Sequence, residues 1–210
     1  MARSTNAGVC ALCEQRASKA QMPSHLATCI PKHEATGVLR TLALLRFDAT
    51  HDSRYWVHVE ARMEAPMRRL DAFLRALWLE CCGHMSAFYV ARREVGMGIP
   101  VAKAFAAATT IEYEYDFGST TALTGTLVST RSGQGGRSAV RLLARNEPIS
   151  WSCAGCAAPA TVLCPFCIDD DAHLFCDAHA GKHEHAREEV YLPVVNSPRM
   201  GVCGYTGSPA

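Results

Sequence analysis

The chain has 210 residues, of which 49% are apolar and 20% are charged, and its formal net charge is +1. This composition excludes a disordered chain and a basic nucleic-acid-binding surface that extends over the whole molecule. No apolar run reaches the ~18 residues that a membrane span requires, and the first residues lack an apolar signal sequence, so we expect a cytoplasmic protein without membrane contacts. Eleven cysteines and nine histidines then indicate metal ligation in preference to disulfides.

The first cysteine cluster predicts a zinc finger in residues 1–37. Its ligand-type residues have the spacing C-x2-C-x11-H-x3-C. A C-x2-C turn brings two sulfurs together, and H-x3-C places two ligands one helical turn apart, which suits tetrahedral zinc. The predicted ligands are Cys10, Cys13, His25 and Cys29.

The fourth ligand of this finger has an alternative. His33 lies one helical turn beyond Cys29, but Pro31 interrupts a helix there, so the prediction keeps Cys29. The ligand spacing resembles that of the ββα zinc finger. Residues 14–24, however, supply neither its core aromatic residue nor paired Arg or Asn side chains that read bases. We therefore expect no base-specific contacts from the finger.

Residues 41–147 carry the pattern of a sizeable apolar core. Strand-like alternation flanks a polar turn, and apolar residues then recur at helical spacing. Strands separated by helices but joined by hairpins predict an α+β fold, with helices packed on a mainly antiparallel sheet between two small zinc-binding modules. The predicted elements are strands Leu42–Phe47 and Tyr55–Ala61, a helix from Pro66 to Gly83, strand Ser86–Val90, helix Val101–Ala108, and strands Ile111–Phe117, Ala122–Ser129 and Ala139–Ala144, the last two flanking the loop Arg131–Arg137.

An enzyme hypothesis has two candidate sets of residues in this segment. Glu112, Glu114 and Asp116 share one face of an alternating strand and pair with His84 as acid/base candidates. The adjacent thiols Cys81–Cys82 are candidate nucleophiles, but no neighbouring base is visible and Cys81 continues the apolar helix stripe. We interpret the carboxylates as the solvated face of a half-buried strand and predict that the protein is not an enzyme.

The second cysteine cluster predicts a binuclear zinc module in residues 151–190. Four successive ligand pairs can hold two zinc ions when pairs one and three share one ion and pairs two and four share the other. This arrangement is similar to the B-box and related cross-brace modules, whose zinc is structural. A mononuclear zinc ribbon built from the two C-x2-C pairs is the alternative. The predicted ligand sets are Cys153, Cys156, Cys176 and His179 for one ion and Cys164, Cys167, His183 and His185 for the other.

Two properties of the C-terminal region complete this prediction. The eighth ligand has an alternative, because His183 and His185 are only two residues apart and His173 is also available as a ligand. Residues 153–190 carry a net charge of −5, whereas residues 1–40 carry +3. About 38 residues cannot build a sufficient apolar core, so zinc must stabilise the module. The apolar tail 191–210 is expected to pack back on the body.

Three runs resemble the plasmid Orf-three-like family. They are RRLDAFLRALWLECCGHMSAF (residues 68–88), IEYEYDFGSTTALTGTLVS (residues 111–129) and LPVVNSPRMGVCGY (residues 192–205). Members are often labelled passenger proteins of insertion elements, a label that describes gene neighbourhood. The resemblance covers roughly residues 41–147, and the passenger label does not imply recombinase chemistry, since a nucleophilic serine among arginines is missing.

These observations predict a non-catalytic zinc-binding protein that acts as an interaction module for a protein partner and holds three zinc ions. The alternative is a nucleic-acid-associated protein linked to mobile elements, which binds weakly and without sequence preference. Its contacts would come from the basic finger and from arginines of the central segment. Those arginines are Arg68, Arg69, Arg75, Arg92 and Arg93.

Overall fold

The structure is a computed structural model, and the chain divides into two compact units. Unit 1 comprises Met1–Ala76 and His84–Glu147. Unit 2 comprises Leu77–Gly83 and Pro148–Ala210. The residues that the structure describes are 7–34, 36–168, 170, 172–186 and 190–207.

Within its described residues, unit 1 forms one sheet of nine antiparallel strands. The strand order across the sheet is β2-β1-β9-β4-β3-β8-β7-β5-β6. Together with a few helices, this arrangement is the α+β fold that the sequence predicts. The strands are β1 Ala7–Cys10, β2 Arg16–Ser18, β3 Val38–Ala49, β4 Trp56–Arg62, β5 Ser86–Val90, β6 Arg93–Val95, β7 Thr110–Tyr115, β8 Thr121–Gly135 and β9 Val140–Asn146.

The long strands β3 and β8 differ most from the predicted elements. The predicted loop Arg131–Arg137 is wrong for most of its length, because β8 continues to Gly135. Pairing explains the extension: β3 and β8 pair over their full length, from Val38 opposite Gly135 to Ala49 opposite Leu123. Each added residue pair satisfies backbone hydrogen-bonding groups, which a local turn signal does not reveal. The register of this strand pair shifts between Leu44 and Leu45, as it does at a β-bulge.

The helices of unit 1 are shorter than predicted. The central helix α2 spans Met67–Leu74, and a π-helical turn over Arg75–Leu79 follows it, so Cys81 and Cys82 lie beyond the helix. Helix α3 spans Val101–Ala104, whereas the prediction extended it to Ala108. Near the N-terminus, α1 spans Met22–Cys29 and continues into a short 3-10 helix, Ile30–His33. Across the described parts of the chain, the helices are all too short or too polar to cross a membrane.

The N-terminal segment is part of the sheet of unit 1. Strand β1 pairs with β9, with Gly8 opposite Asn146, and therefore joins the predicted finger to the body. Gly8 is required here because an added Cβ would overlap the Trp56 ring and a backbone carbonyl. The residue boundary near position 37 thus does not separate two compact units.

Unit 2 contains very short strands within its described residues. The three-stranded order is β11-β10-β12, formed by β10 Val162–Leu163, β11 Leu174–Phe175 and β12 Leu192–Pro193. A 3-10 helix, Pro165–Cys167, and a one-turn helix α4, Asp177–Ala180, complete the unit.

The tail packs within unit 2. Its strand β12 pairs with β10, and the hydroxyl of Ser197 donates to the backbone oxygen of Trp78 at 2.6 Å. Tyr205 and Arg199 are both buried. The tail therefore contacts the segment Leu77–Gly83 as well as the small sheet.

Candidate metal centres

The four ligands predicted for the finger converge in unit 1, and we call them the finger group. Cys10 ends β1, Cys13 lies in the turn before β2, and α1 carries His25 and Cys29 one turn apart. The ligand atoms lie within 4.8 Å of one another. The Cys10 and Cys29 sulfurs are 3.9 Å apart, close to the ~3.8 Å edge of a tetrahedron with zinc–sulfur bonds of about 2.3 Å. His33 lies beside this group, with its Nδ1 3.5 Å from the Cys29 sulfur.

The electrostatics of the finger group favour a cation. Burial, followed by contact with the thiols of Cys13 and Cys10, raises the pKa of Cys29 to about 12. A backbone hydrogen bond at Gln15 lowers the pKa of Cys13. Without a metal, the thiols of the finger group therefore do not all ionise together. A divalent metal ion balances the negative charge of several thiolates at once.

The first and third predicted pairs of the C-terminal module form the first box group. It contains Cys153 and Cys156 from a turn, with Cys176 and His179 at the start of α4. The Cys156 and Cys176 sulfurs are 3.9 Å apart, and Nδ1 of His179 lies 3.3 Å from the Cys176 sulfur. Burial raises the pKa of Cys153, but backbone hydrogen bonds at Cys176 and Gly155 outweigh it and lower the pKa to about 6. This thiol is thus readily available as thiolate.

The second and fourth pairs form the second box group. The Cys167 sulfur lies 3.3 Å from Nε2 of His183 and 3.5 Å from Nδ1 of His185. The Cys164 sulfur also lies 3.5 Å from Nδ1 of His185. Burial and the neighbouring Cys164 raise the pKa of Cys167 to about 11. His173 stands outside the group, with its Nδ1 2.7 Å from the backbone oxygen of Asp170. The ligand atoms therefore follow the cross-brace pairing, and the two C-x2-C pairs do not share one site as a ribbon requires.

A fourth group was missed by the sequence prediction, and we call it the tail group. Its members are Cys81, Cys82 and Cys203 of unit 2, and the Cys82 sulfur lies 3.6 Å from the sulfurs of both other cysteines. The prediction assigned Cys81 to the apolar face of a helix that in fact ends earlier. The available signal was the number of cysteines: eight belong to the predicted groups, and the remaining three form this one.

The four groups use donor atoms that suit zinc. All eleven cysteines lie in the described part of the chain and none is in a disulfide. Sulfur and imidazole ligands in sets of four are typical of structural zinc sites, which leave no coordination position for a water or substrate. The Cys/His clusters can therefore form small metal-binding modules.

The carboxylates of the enzyme hypothesis lie on β7 and just after it. Tyr113 and Tyr115 are buried, whereas Glu112 is exposed and Glu114 is half-buried, as expected for one solvated strand face. Asp116 departs from the pattern because its backbone has a φ of 65° and its side chain is buried. There it accepts a hydrogen bond from the backbone N–H of Gly118 and lies 3.5 Å from Nε2 of His84. The Asp116 side chain therefore stabilises the turn that follows β7.

No model of a known protein family matches the chain, and no curated protein matches it. A structural comparison finds similarity to the crystal structure of a protein of unknown function, MM3350, from Methanosarcina mazei Go1. The two share 14% sequence identity with a TM-score of 0.42, over 73% of this chain and 89% of the other. The resemblance to the plasmid Orf-three-like family therefore stays a prediction.

Proposed function

We propose that this chain is a non-catalytic zinc-binding protein whose C-terminal module binds a protein partner. The proposal rests on one observation: the finger group and the two box groups each provide four sulfur or nitrogen ligands within 4.8 Å, so a bound zinc would be fully coordinated by protein atoms. Such an ion stabilises a fold and leaves no position for substrate. The function then depends on the surface that the zinc holds in shape.

The surface of the C-terminal module suits a basic partner with an apolar anchor. Phe166 and Ile168 are exposed large apolar residues beside the second box group, with relative exposures of 58% and 37%. Residues 153–190 carry a net charge of −5, which includes Asp170 and Asp177. Exposed aromatic residues provide much of the binding energy at interfaces, while complementary charge speeds association.

A matched pair of double variants tests this proposal. The tagged protein is recovered from the cells that express it naturally, and partners are quantified for the wild type, for Phe166→Ser with Ile168→Ser, and for Val38→Ser with Leu39→Ser. The second pair is more exposed than the first and belongs to unit 1. We expect a partner that the first pair loses at least tenfold and the second pair retains, with equal zinc content throughout. Equal recovery of that partner by the two double variants would contradict the proposal.

A cleft in unit 1 supports nucleic-acid association as a second candidate function. The cavity has a volume of about 750 Å³ and is lined by Arg40, Arg62, Arg69 and Arg137, with Glu64 as the acidic residue. Arg40 pairs with Glu64 at 2.5 Å, which leaves three guanidinium charges in excess in this lining. Phosphate contacts of this kind bind without reading sequence.

The salt dependence of DNA binding tests the cleft. Each lost phosphate contact reduces the slope of log affinity against log salt by about 1. Arg69→Ala with Arg137→Ala should therefore reduce the slope by about 2. Arg92→Ala with Arg93→Ala should leave it unchanged, because these two arginines, which the sequence suggested as contacts, lie outside the cleft, after the end of β5 and at the start of β6. Binding that does not weaken with salt, or an equal effect of the control pair, would remove this candidate.

A further inference from the structure

The arginine-lined cleft of unit 1 also has an apolar wall. Its volume of about 750 Å³ falls within the range of ~300–1,000 Å³ that is typical of small-molecule sites. The wall is formed by α2 with the two residues before it and by the start of β9, and its members are Ala65, Pro66, Ala72, Phe73, Ala139 and Val140. The Phe73 side chain is half-buried, so part of its ring is accessible. The cleft therefore combines cationic groups with an apolar and partly aromatic surface.

Two of the arginines are held side by side by the protein. A Cβ added at Gly135 would lie 2.9 Å from Cδ of Arg40 and 3.2 Å from Nε of Arg62, so both side chains pass close to this glycine. Arg62 donates to two backbone oxygens of the turn between β8 and β9, and Arg40 pairs with Glu64 at 2.5 Å. The buried Nε atoms of both arginines have no hydrogen-bond partner among the described residues. A bound anion would offset the repulsion between these two preorganised cations.

The charge of the cleft suits a phosphate monoester. Arg69 and Arg137 are exposed and add two cations to the lining, whereas Glu64 balances Arg40, so three positive charges remain. A phosphate monoester carries about −1.5 to −2 charges near neutral pH and presents three acceptor oxygens. Each phosphodiester link of a nucleic acid carries a single negative charge, and a strand requires a basic track along several nucleotides. With a formal net charge of +1, the chain as a whole is not basic.

We propose that this cleft binds a free nucleoside monophosphate. The phosphate contacts the arginines, because guanidinium groups donate two hydrogen bonds at a time to phosphate oxygens. The base lies against the apolar wall and stacks on Phe73, an interaction that is available to every base. The assignment rests on the second candidate function only in using the same arginines, since a free nucleotide provides one phosphate and one base without a strand.

Isothermal titration calorimetry of the whole chain, purified without chelator, tests this proposal with AMP as the probe. We expect AMP to bind at least tenfold more tightly than cyclic AMP, which keeps the base but carries only one negative charge. Adenosine lacks the phosphate and inorganic phosphate lacks the base, so both should also bind at least tenfold more weakly than AMP. Absence of AMP binding, or equal affinities for AMP and cyclic AMP, would overturn the proposal.

Substitutions in the lining locate the site. Arg69→Gln with Arg137→Gln should weaken AMP binding at least tenfold, whereas Arg92→Ala with Arg93→Ala, outside the cleft, should bind AMP like the wild type. Glu64→Gln removes the negative charge of the lining and should strengthen AMP binding about threefold or more, a gain that a folding defect cannot produce. Unchanged AMP affinity in both the Arg69/Arg137 double variant and Glu64→Gln would overturn the assignment.

Phe73→Leu tests the position of the base. This substitution keeps an apolar side chain and removes the aromatic ring, so it should weaken AMP binding about tenfold and leave the affinity for inorganic phosphate unchanged. An equal loss for AMP and for inorganic phosphate would contradict stacking of the base on Phe73.

Competition with a strand separates this proposal from the nucleic-acid candidate. The competitor is a short single-stranded oligonucleotide without a terminal phosphate. AMP binding that the oligonucleotide does not displace supports the proposal and counts against the nucleic-acid candidate. Binding of the oligonucleotide without binding of AMP refutes the proposal and leaves that candidate intact, and neither result affects the zinc-binding groups.

Discussion

The two units place their Cys/His groups in different surroundings. In unit 1, Cys10 and Cys29 belong to an apolar cluster with Met22, Leu26 and Trp56, which lies against the nine-stranded sheet. In unit 2, a buried cluster around the box groups consists mainly of the ligands themselves. Its members are Cys153, Cys164, Cys167, Phe175 and Ala180.

The difference indicates where each unit obtains its stability. Burial of apolar surface can stabilise a sheet with long strands, and a metal at its edge then adds to a fold that already exists. Strands of two residues, such as β10 and β11, cannot form a stable sheet alone. We therefore expect unit 2 to depend on zinc and unit 1 to depend mainly on its core.

Removal of zinc should produce the largest effect and separate the two units. With a strong chelator, backbone amides of β10 and β11 should exchange hydrogen at the rate of an unfolded chain, because the metal supplies the folding free energy of that module. Amides of β3, β4 and β8 should remain protected. Hydrogen exchange with mass spectrometry measures both regions in one sample. Loss of protection in β3 and β4 together with β10 would show that the sheet, too, requires metal.

Cys156→Ser should unfold the C-terminal module selectively. The change removes one of four ligands from the first box group, and the remaining ligands cannot close a zinc site. We expect one fewer zinc ion or two fewer, depending on whether both box groups open, and an unchanged urea transition for the sheet. Cys13→Ser, in the finger group, is the matched control and should leave β10 and β11 protected. A single cooperative loss of all structure in Cys156→Ser would contradict separate stabilisation.

Trp56→Ala should destabilise unit 1 by about 3–5 kcal/mol and leave zinc binding by the box groups unchanged. Trp56 is fully buried beside Cys10 and Leu26, and truncation leaves a cavity that the surrounding sheet cannot fill. The free energy of unfolding is read from urea denaturation, with fluorescence or hydrogen exchange assigned to unit 1. A loss under 1 kcal/mol would show that the core near the finger group contributes little.

His58 should make unit 1 less stable in mild acid. Burial lowers the pKa of His58 to about 4, and the nearby cations Arg46 and Lys19 lower it while Asp48 raises it. Between pH 6.5 and about 4 the unfolded chain binds a proton that the folded chain does not, so stability is complete above pH 6.5 and falls as the pH falls. The difference in pKa, at about 1.4 kcal/mol per pH unit, corresponds to on the order of 3 kcal/mol.

The variant His58→Leu isolates this contribution. Zinc-binding histidines titrate in the same range, so the stability of the variant is compared with that of the wild type at each pH by urea denaturation. The gap between the two should move in favour of the variant as the pH falls from 6.5 to 4. Parallel curves over this range would show that His58 carries a proton equally well in both states.

The sequence predicted what depends on local spacing. Each of the three predicted ligand sets contains a C-x2-C pair, the finger group adds two ligands one helical turn apart, and alternation along β7 indicated its buried and solvated faces. Pairings between distant segments were not visible. Strand β1 has four residues and is defined by its bonds to β9, and the full length of β8 depends on β3.

The tail group was not visible for the same physical reason. Cys203 is far from Cys81 in the chain, and only the packing of the tail brings their sulfurs together. The helical pattern after Pro66 also suggested that Cys81 belongs to an apolar stripe. The α-helix instead ends at Leu74, and both cysteines lie beyond the π-helical turn Arg75–Leu79 that follows it.

X-ray absorption at the zinc edge, on native protein purified without chelator, tests the central claim most directly. The account predicts that each zinc ion has four protein ligands, with sulfur at about 2.3 Å and nitrogen at about 2.0–2.1 Å, and with more sulfur than nitrogen in the average shell. The spectrum should be the same when candidate ligands or nucleic acid are added. An oxygen shell, or an average coordination number of five or six, would contradict closed structural sites and reopen the question of catalysis.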